Sequence, residues 1–289
     1  MLRTIVLSLL ATSALLAAGC TGPVDETDAE DVEVGAAQQG IGNDTIFDPP
    51  KGGNHFCSWC FWADDTQAAY RIMGGGAVDQ GGGYLPVLDI DFQYRDQVLQ
   101  NAIECALSSE QEVIDPVTNR SYSGHWGLAT SWTTAALTTT QRRWVTACMA
   151  QRLNAYQEPV PILLEGRTPP IYRHSVYDSE MPWDESTVWG DLFSSVTPLG
   201  MQQAPFVLYA CTDSDLLGTC TAGDTPEGWM NYRICDTSPQ CGLALQGPCA
   251  NPAVCQLDSA GYPRCNGDGV LYKETVHVQL KDGTCTPPP

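Results

Sequence analysis

Apolar residues recur at helical spacing in two stretches of the chain. The first, residues 92–107 (FQYRDQVLQNAIECAL), carries one stripe formed by Tyr94, Val98, Ala102, Cys105 and Ala106. The second, residues 140–156 (TQRRWVTACMAQRLNAY), carries one face formed by Val145, Cys148, Met149, Arg152 and Tyr156. This period predicts two helices that bury those faces. We expect Asp91 to cap the first helix and the threonines at the start of the second to cap that one.

After Pro161 the pattern changes to short segments rich in Val, Ile, Leu and Tyr. The segments ILLEG, FVLYAC, NYRIC and VLYKETVHVQL are separated by Gly, Pro, Asp and Asn, which is typical of strands. The last segment alternates from Val270 to Leu280 with a period of two. The pattern therefore predicts an α+β fold, with a mainly helical region over residues 51–160 and a disulfide-rich, mainly β region over residues 161–289. Between the two helices we expect a loop containing YSGHWGLATSW.

The N-terminal residues MLRTIVLSLLATSALLAAGC place one basic residue, Arg3, before an apolar run. This run is too short to span a bilayer comfortably and is typical of an export signal, which we place at residues 1–19. Residues 20–50 contain eight acidic residues and no Lys or Arg. Such a segment buries too little apolar surface to fold, so we predict a flexible acidic tether with a span of about 30 Å.

The signal ends in Ala17, Ala18 and Gly19, directly followed by Cys20. This ending resembles the lipobox of bacterial lipoproteins. The resemblance implies cleavage before Cys20, lipidation of Cys20, and attachment to a membrane of the cell envelope, at the outer membrane or cell surface. With QRRWVTACMAQRLNAYQEPVPILLEG and a tail dense in cysteines, the chain is similar in style to uncharacterised myxobacterial surface lipoproteins, a group that implies no particular activity.

The chain is strongly acidic, with 34 Asp and Glu against 14 Lys and Arg and a net charge of −20 at pH 7. Binding of phosphates requires a basic face, so the charge argues against nucleic acid as a partner. Asn266, Asp268 and Gly269 in CNGDGVLYKE match part of a calcium loop. The closing Glu at the required spacing is missing, and we interpret this segment as a turn.

Twelve cysteines remain if Cys20 carries lipid, and an even number in an exported chain predicts a disulfide framework. They are Cys57, Cys60, Cys105, Cys148, Cys211, Cys220, Cys235, Cys241, Cys249, Cys255, Cys265 and Cys285. Because Cys105 and Cys148 lie on the inward faces of the two predicted helices, we predict a bridge between them worth about 4 kcal/mol. The pairing of the other ten cysteines stays open.

The motif NHFCSWCFWADD, residues 54–65, allows three interpretations of Cys57 and Cys60. They can form structural disulfides, with each other or with other cysteines. They can join His55 and one distant ligand, His125 or His174, in a zinc site. They can also form a redox centre, although Asp64 and Asp65 disfavour a thiolate. A lone CxxC in an oxidised chain favours the structural disulfides, so we predict no metal site.

Signatures of catalysis are sparse, and we predict no catalytic residue and no cofactor. The glycine-rich GGGAVDQGGG contains an aspartate that would repel phosphate, and His125 and His174 are isolated. Asp89 and Asp91 in LDID are paired carboxylates of the kind that hydrolyse glycosides, which leaves a tethered glycan hydrolase as an alternative. Trp183 and Trp189 in MPWDESTVWGDLF are expected to face outward. We favour a surface protein that binds a glycan or protein or has a structural role.

Overall fold

In a computed structural model of the chain, the structure describes residues 73, 94–115, 118–154, 161–173, 179–193, 208–213, 233–234 and 242–281. All belong to a compact unit that extends from Gly42 to Pro289. The predicted signal peptide and tether lie outside these residues. The described residues form two α-helices and ten strands, so the fold is α+β. No helix among them is both long and apolar enough to cross a membrane.

Helix α1, Arg95–Ala106, forms where helical spacing predicts it but begins later than expected. Tyr94 occupies the N-cap position with φ of 65°, and no side chain caps the helix, so the expected cap at Asp91 is wrong. The helix starts instead from a left-handed residue. The stripe that includes Val98, Ala102 and Cys105 is buried, as predicted.

Helix α2, Thr139–Gln151, begins with the predicted threonine cap. The Thr138 hydroxyl accepts the backbone N–H of Gln141, and the Gln141 side chain accepts the backbone N–H of Thr138, which is a capping box. The helix ends at Gln151, earlier than the predicted residue 156. Val145, Cys148 and Met149 are fully buried on the predicted face.

A disulfide bond joins the two helices through Cys105 and Cys148, whose Sγ atoms are 2.02 Å apart and whose Cα atoms are 6.0 Å apart. This is the pair that the helical faces predict. The side-chain amide of Asn101 in α1 also donates to the carbonyl oxygen of Met149 in α2 at 3.0 Å. The helices therefore pack as one covalently linked layer.

The segment between the helices contains more structure than the predicted loop. Strands β1, Glu112–Ile114, and β2, Ser121–Ser123, pair antiparallel, and a short 3-10 helix follows at Thr130–Thr133. The carboxylate of Asp115 holds the base of this hairpin to α1 by accepting a hydrogen bond from Arg95 at 2.6 Å. Residues 51–160 thus contain strands as well as helices.

A five-stranded sheet packs against the helices, with its strands in the order β3-β10-β4-β5-β6. Their bounds are Ile162–Glu165 for β3, Trp183–Gly190 for β4, Leu208–Thr212 for β5, Leu243–Pro248 for β6 and Val276–Leu280 for β10. The pairs β3–β10, β10–β4 and β4–β5 are antiparallel, and β5 pairs with β6 in parallel. Strand β4 was not predicted, because Asp184, Glu185 and Ser186 interrupt its apolar pattern.

The two faces of this sheet pack against different parts of the protein. On one face, Val188, Val276 and Val278 pack with Leu99 and Val145 of the helices in one hydrophobic core. On the other face, Trp189, Tyr209 and Cys211 pack with Val254, Cys255 and Cys265. Described residues on both sides of residue 160 therefore share one core.

The second face is partly covered by a three-stranded antiparallel sheet in the order β7-β8-β9. Its strands are β7, Cys255–Leu257, β8, Pro263–Gly267, and β9, Val270–Tyr272. Asp268 and Gly269, with φ of 46° and 79°, connect β8 to β9 in a two-residue turn. The predicted turn at CNGDG is thus confirmed.

Two of the predicted strands differ in the structure. Arg233 and Ile234 of NYRIC are helical, so the strand predicted there is wrong at these residues. The predicted strand over VLYKETVHVQL divides into β9 and β10. The physical reason is that β9 pairs with β8 in the small sheet, whereas β10 pairs with β3 and β4 in the large one.

Candidate functional site

A row of register partners crosses four strands of the large sheet. His277 of β10 lies opposite Glu165 of β3 on one side and Thr187 of β4 on the other, and Thr187 lies opposite Cys211 of β5. Directly opposed residues of paired strands share one face of a sheet. The row therefore lies on the face that carries the small sheet.

A β-bulge adds Asp184 to this row. The register between β10 and β4 passes from Ser186 opposite Val278 to Asp184 opposite Gln279, so it skips Glu185. In a regular strand, residues three apart point to opposite faces. The extra residue turns Asp184 and Thr187 to the same face, where both reach His277, which is a recognised effect of bulges at functional sites.

His277 is held from three directions. Its Nε2 lies 2.9 Å from Asp184 Oδ1, and its Nδ1 lies 3.1 Å from Thr187 Oγ1 and 3.7 Å from Asp213 Oδ2. Gln279 donates its side-chain amide to Asp184 Oδ1 at 2.8 Å. The His277 side chain is 15% exposed, so the ring is mostly shielded from water between these partners.

The surroundings favour an ion pair between His277 and Asp184. Burial by itself lowers the pKa of His277, but the hydrogen bond that His277 donates to Asp184 and the charges of Asp213, Asp184 and Glu165 outweigh it and raise that pKa above 6.5. Burial by itself raises the pKa of Asp184, but the hydrogen bond and charge of His277, with help from Gln279 and Arg173, lower it to about 2. The imidazolium and carboxylate forms therefore support each other.

These residues line a cleft of about 590 Å³ between the large sheet and the segment that carries β7. The sheet side of the cleft is polar and consists of Glu165, Asp184, Thr187, Asp213 and His277. The opposite side is largely apolar and includes Pro252, Leu257, Tyr262 and Pro263. Leu257 is 72% exposed at this side, whereas Glu165 is 4% exposed. The cleft thus combines a buried acidic surface with an exposed apolar wall.

Basic residues hold the apolar wall in place. Arg167 pairs with Asp258 at 2.9 Å, and the Oδ1 atom of Asp258 accepts the backbone N–H groups of Ala260 and Tyr262. The backbone N–H of Arg173 donates to the Tyr262 hydroxyl at 3.0 Å. The turn between β7 and β8 is therefore tied to the segment that follows β3.

One disulfide fixes the wall to the large sheet, and a second links two strands of the small sheet. One joins Cys211 of β5 to Cys249, and the other joins Cys255 of β7 to Cys265 of β8. The Sγ atoms of Cys211 and Cys255 lie 3.5 Å apart, and those of Cys211, Cys255 and Cys265 lie within 4.8 Å of one another. Because all three sulfurs are in disulfides, this cluster offers no thiolate to a metal in this state.

Several predicted residues lie outside the part of the chain that the structure describes. They are Cys20, His55, Cys57, Cys60, Asp89, Asp91, His174, Cys220, Cys235, Cys241 and Cys285. His125 lies within it, beside Trp126, with the two ring centroids 4.8 Å apart. It follows β2 and is not among the residues of the cleft.

The expectation that Trp183 and Trp189 face outward is wrong. Trp189 is fully buried and stacks on Tyr209 with the ring centroids 6.0 Å apart. Trp183 packs partly buried against the core on the helix side. The acidic residues near these tryptophans suggested exposure, but Asp184 and Glu185 belong to the interior strand β4, Asp191 directly follows it, and all three pair within the fold. By contrast, Trp144 of α2 is buried in the core, as helical spacing indicates.

Sequence reasoning missed the site because its residues come from β3, β4, β10 and the end of β5. One signal was present in VHVQL, where the apolar alternation of Val276, Val278 and Leu280 leaves His277 and Gln279 on the opposite face. Nothing in the sequence showed that Asp184 and Thr187 would share that face, since their alignment depends on the bulge.

Thr187, His277 and Asp184 are arranged in the order of a catalytic hydroxyl, base and acid. The charges of His277 and Asp184 nevertheless oppose general-base catalysis. A general base must accept the hydroxyl proton. In the imidazolium form, which the raised pKa of His277 favours, both ring nitrogens donate, so Nδ1 cannot take a proton from Thr187. The arrangement is suited to recognition of charge.

Comparison of the chain with protein-family models, curated proteins and solved structures finds no match.

Proposed function

We propose that this protein is exported, lipid-anchored through Cys20 at the cell surface or outer membrane, and binds a ligand in the cleft above β3, β10 and β4. The observation that carries the binding role is the cleft itself. Its volume of about 590 Å³ lies within the range of ligand-binding pockets, and a few convergent polar groups face an apolar wall. The lipobox-like ending and the acidic tether support export and anchoring, and the acidity of the chain supports the absence of nucleic acid as a partner.

At Asp184 the cleft favours binding over carboxylate-dependent glycan hydrolysis, the alternative whose predicted pair, Asp89 and Asp91, lies outside the part of the chain that the structure describes. A hydrolase of that kind needs a carboxylic acid that stays protonated near neutral pH, which requires a raised pKa. In the cleft the pKa of Asp184 is lowered to about 2. Burial raises the pKa of Asp191, but this residue pairs with Arg142 and is not one of the cleft residues. A metal or thiol-redox role depends on Cys57 and Cys60 and remains the second alternative.

We place the mainly helical part of the protein in residues 51–160 and the disulfide-rich β part in residues 161–289. The presence of α1 and α2 in the first range and of the disulfides at Cys211, Cys249, Cys255 and Cys265 in the second supports this division. The proposed tether, residues 20–50, would carry this body away from the membrane surface.

Binding in the cleft is tested by obstructing its wall. Leu257→Trp enlarges an exposed residue of the cleft, and Leu271→Trp makes the same change at a residue of β9 that is 45% exposed and lies outside the cleft. A fragment set that includes short peptides and oligosaccharides is screened against both variants and the original chain by ligand-observed NMR. Loss of binding in Leu257→Trp alone supports the proposal. Equal binding by all three chains, or no binding by any, overturns it.

Anchoring is tested separately in a bacterial host with a clickable fatty acid. The original chain should incorporate the label and sediment with membranes, and Cys20→Ser should do neither. A labelled or membrane-bound Cys20→Ser chain would contradict lipidation at this residue.

A further inference from the structure

The cysteines of two neighbouring disulfides form one sulfur cluster beside the cleft. We propose that Cys211, Cys249, Cys255 and Cys265 hold a zinc ion in a four-sulfur site when both disulfides are reduced. In the oxidised chain the cluster consists of two disulfides, and in the reduced chain it is a metal site. Zinc binding at these residues does not depend on what the cleft itself binds.

The sulfur atoms already lie near the spacing that a tetrahedral metal site needs. The Sγ atoms of Cys211 and Cys255 are 3.5 Å apart, and those of Cys211, Cys255 and Cys265 all lie within 4.8 Å of one another. Cys249 joins this group through its bond to Cys211. In a four-sulfur zinc site with Zn–S bonds of about 2.3 Å, the sulfurs are about 3.8 Å apart. Each opened disulfide therefore has to separate its two sulfurs only to about the spacing that Cys211 and Cys255 already have.

Backbone hydrogen bonds hold the four cysteines in place independently of their sulfur atoms. Cys255 and Cys265 are direct register partners in the antiparallel pair of β7 and β8. The backbone N–H of Cys249 donates to the carbonyl oxygen of Thr212, the last residue of β5, at 2.9 Å. The backbone N–H of Cys255 donates to the carbonyl oxygen of Asn251 at 3.0 Å, within the turn that joins Cys249 to Cys255. Because none of these bonds involves sulfur, the four thiols stay close together when the disulfides open.

The surroundings of the cluster favour a closed site for a soft metal ion. Cys211 and Cys265 are fully buried, and Cys255 is 6% exposed. They pack in one hydrophobic cluster with Trp189 and Tyr209, which shields the sulfurs from water. Thiolate ligands in tetrahedral arrangement select zinc over magnesium and calcium, which prefer oxygen ligands. Structural zinc sites are completed by four protein ligands, and four cysteines supply that number here.

A small dithiol supplies the electrons that convert the oxidised cluster to the metal site. Each dithiol is oxidised to a disulfide as it converts one bridge of the cluster to two thiols, so two dithiols provide four electrons and four protons. When zinc binds, the thiols coordinate as thiolates and release their protons to water. Cys249 and Cys255 line the cleft, so a thiolate of the reductant can reach one sulfur of each bridge from there. Cys105 and Cys148, by contrast, are fully buried.

Cobalt(II) tests the site on the full chain, because cobalt–thiolate bonds absorb light in proportion to their number. The chain is reduced with a dithiol, separated from the reductant without oxygen, and titrated with cobalt. Cys211→Ala with Cys255→Ala removes two ligands and should lose the absorption of one bound ion. Cys105→Ala with Cys148→Ala is the matched control, which removes two buried cysteines elsewhere and should lose none of that absorption. Cys249→Ser should lose about a quarter of the ion's absorption, since one of four thiolates is gone.

Protection of cysteines from alkylation identifies the ligands directly by peptide mass spectrometry. In the folded, reduced chain, zinc should slow the labelling of the four cluster cysteines by iodoacetamide about tenfold or more, because a coordinated thiolate is a poor nucleophile. Labelling of Cys105 and Cys148 should not change when zinc is added. Zinc that protects other cysteines in place of the cluster overturns the proposal.

Circular dichroism in the near ultraviolet covers the case in which reduction unfolds the chain. Zinc should then refold the original chain and the variant that lacks Cys105 and Cys148, because metal binding contributes to folding. It should not refold the variant that lacks Cys211 and Cys255. Equal loss of cobalt absorption in the two double variants, or a reduced chain that zinc neither binds nor refolds, also overturns the proposal.

Discussion

Asp184 and Thr187 are three residues apart in strand β4, and both contact the ring of His277. The bulge at Glu185 makes this possible, because it turns two residues of opposite parity to the same face of the sheet. It also directs Glu185 to the helix side, where Arg233 binds it. A single extra residue thus serves the cleft on one face and the buried ion pair on the other.

The ion pair of His277 and Asp184 should make stability depend on pH. The raised pKa of His277 gives stabilisation that is fully present below its unfolded value of 6.5 and is lost as the pH rises through the folded value. The lowered pKa of Asp184 gives stabilisation that is present above 3.8 and is lost as the pH falls towards about 2. In urea unfolding, His277→Gln should therefore lose most stability between about pH 4 and 6.5.

The matched variant for this prediction is Asp184→Asn. Asp184→Asn removes the other half of the same ion pair. The double variant His277→Gln with Asp184→Asn should therefore lose less stability than the sum of the losses in the two single variants. An equal deficit for His277→Gln at pH 5 and at pH 9 would show that the imidazole acts only by packing.

The buried pair of Arg233 and Glu185 should be costly to break from one side. Both side chains have no exposure, and Arg233 also donates to the carbonyl oxygens of Gln151 and Leu153 at the end of α2. Arg233→Met leaves a buried carboxylate, so we expect a loss of about 3–5 kcal/mol in the free energy of unfolding. The double variant Arg233→Met with Glu185→Leu should recover part of this loss. A double variant no more stable than Arg233→Met would show that the carbonyl contacts, and not the charge pair, dominate.

The number of residues between the two cysteines should determine which of two disulfides stabilises the protein more. Cys105 and Cys148 are 43 residues apart in sequence, and Cys255 and Cys265 are 10 apart. The chain-entropy estimate gives about 4 kcal/mol for the first and about 3 kcal/mol for the second. Replacing each pair by alanines and measuring chemical unfolding tests this order. The reverse order would mean that packing around the sulfurs outweighs the entropy of the unfolded chain.

Gly267 should be intolerant of any side chain. A Cβ atom at this position would lie 2.6 Å from Cε2 of Tyr209 and 3.0 Å from Nε1 of Trp189. Since both rings are buried between the two sheets, Gly267→Ala should cost about 1–3 kcal/mol through overpacking. Tyr209→Leu in the same chain makes room and should reduce the effect of the alanine. Unchanged stability in Gly267→Ala would show that the small sheet can shift away from the large one.

The sequence predicted those features that depend on local period. Helical spacing identified α1, α2 and the faces that bring Cys105 to Cys148, and the threonine cap of α2 was visible in the residue types. Apolar segments such as ILLEG and FVLYAC predicted β3 and β5. These elements need no knowledge of distant partners.

The cleft was beyond such reasoning because it depends on pairing between distant segments. Asp184 and His277 are 93 residues apart, and their contact requires the antiparallel pairing of β4 with β10 and the bulge within it. Acidic residues in β4 argued for exposure, whereas the fold uses Glu185 to bind Arg233. Buried polar pairs of this kind reverse the usual link between polarity and surface.

The link between Cys211 and Cys249 has a consequence for how fast a ligand can associate. Cys249 lies in the cleft wall and Cys211 in the sheet beneath it, so a covalent bond keeps the two sides together before any ligand arrives. A preorganised cavity loses little conformational freedom on binding. Encounter should then proceed in a single kinetic step, without a slow rearrangement, for as long as that bond remains oxidised.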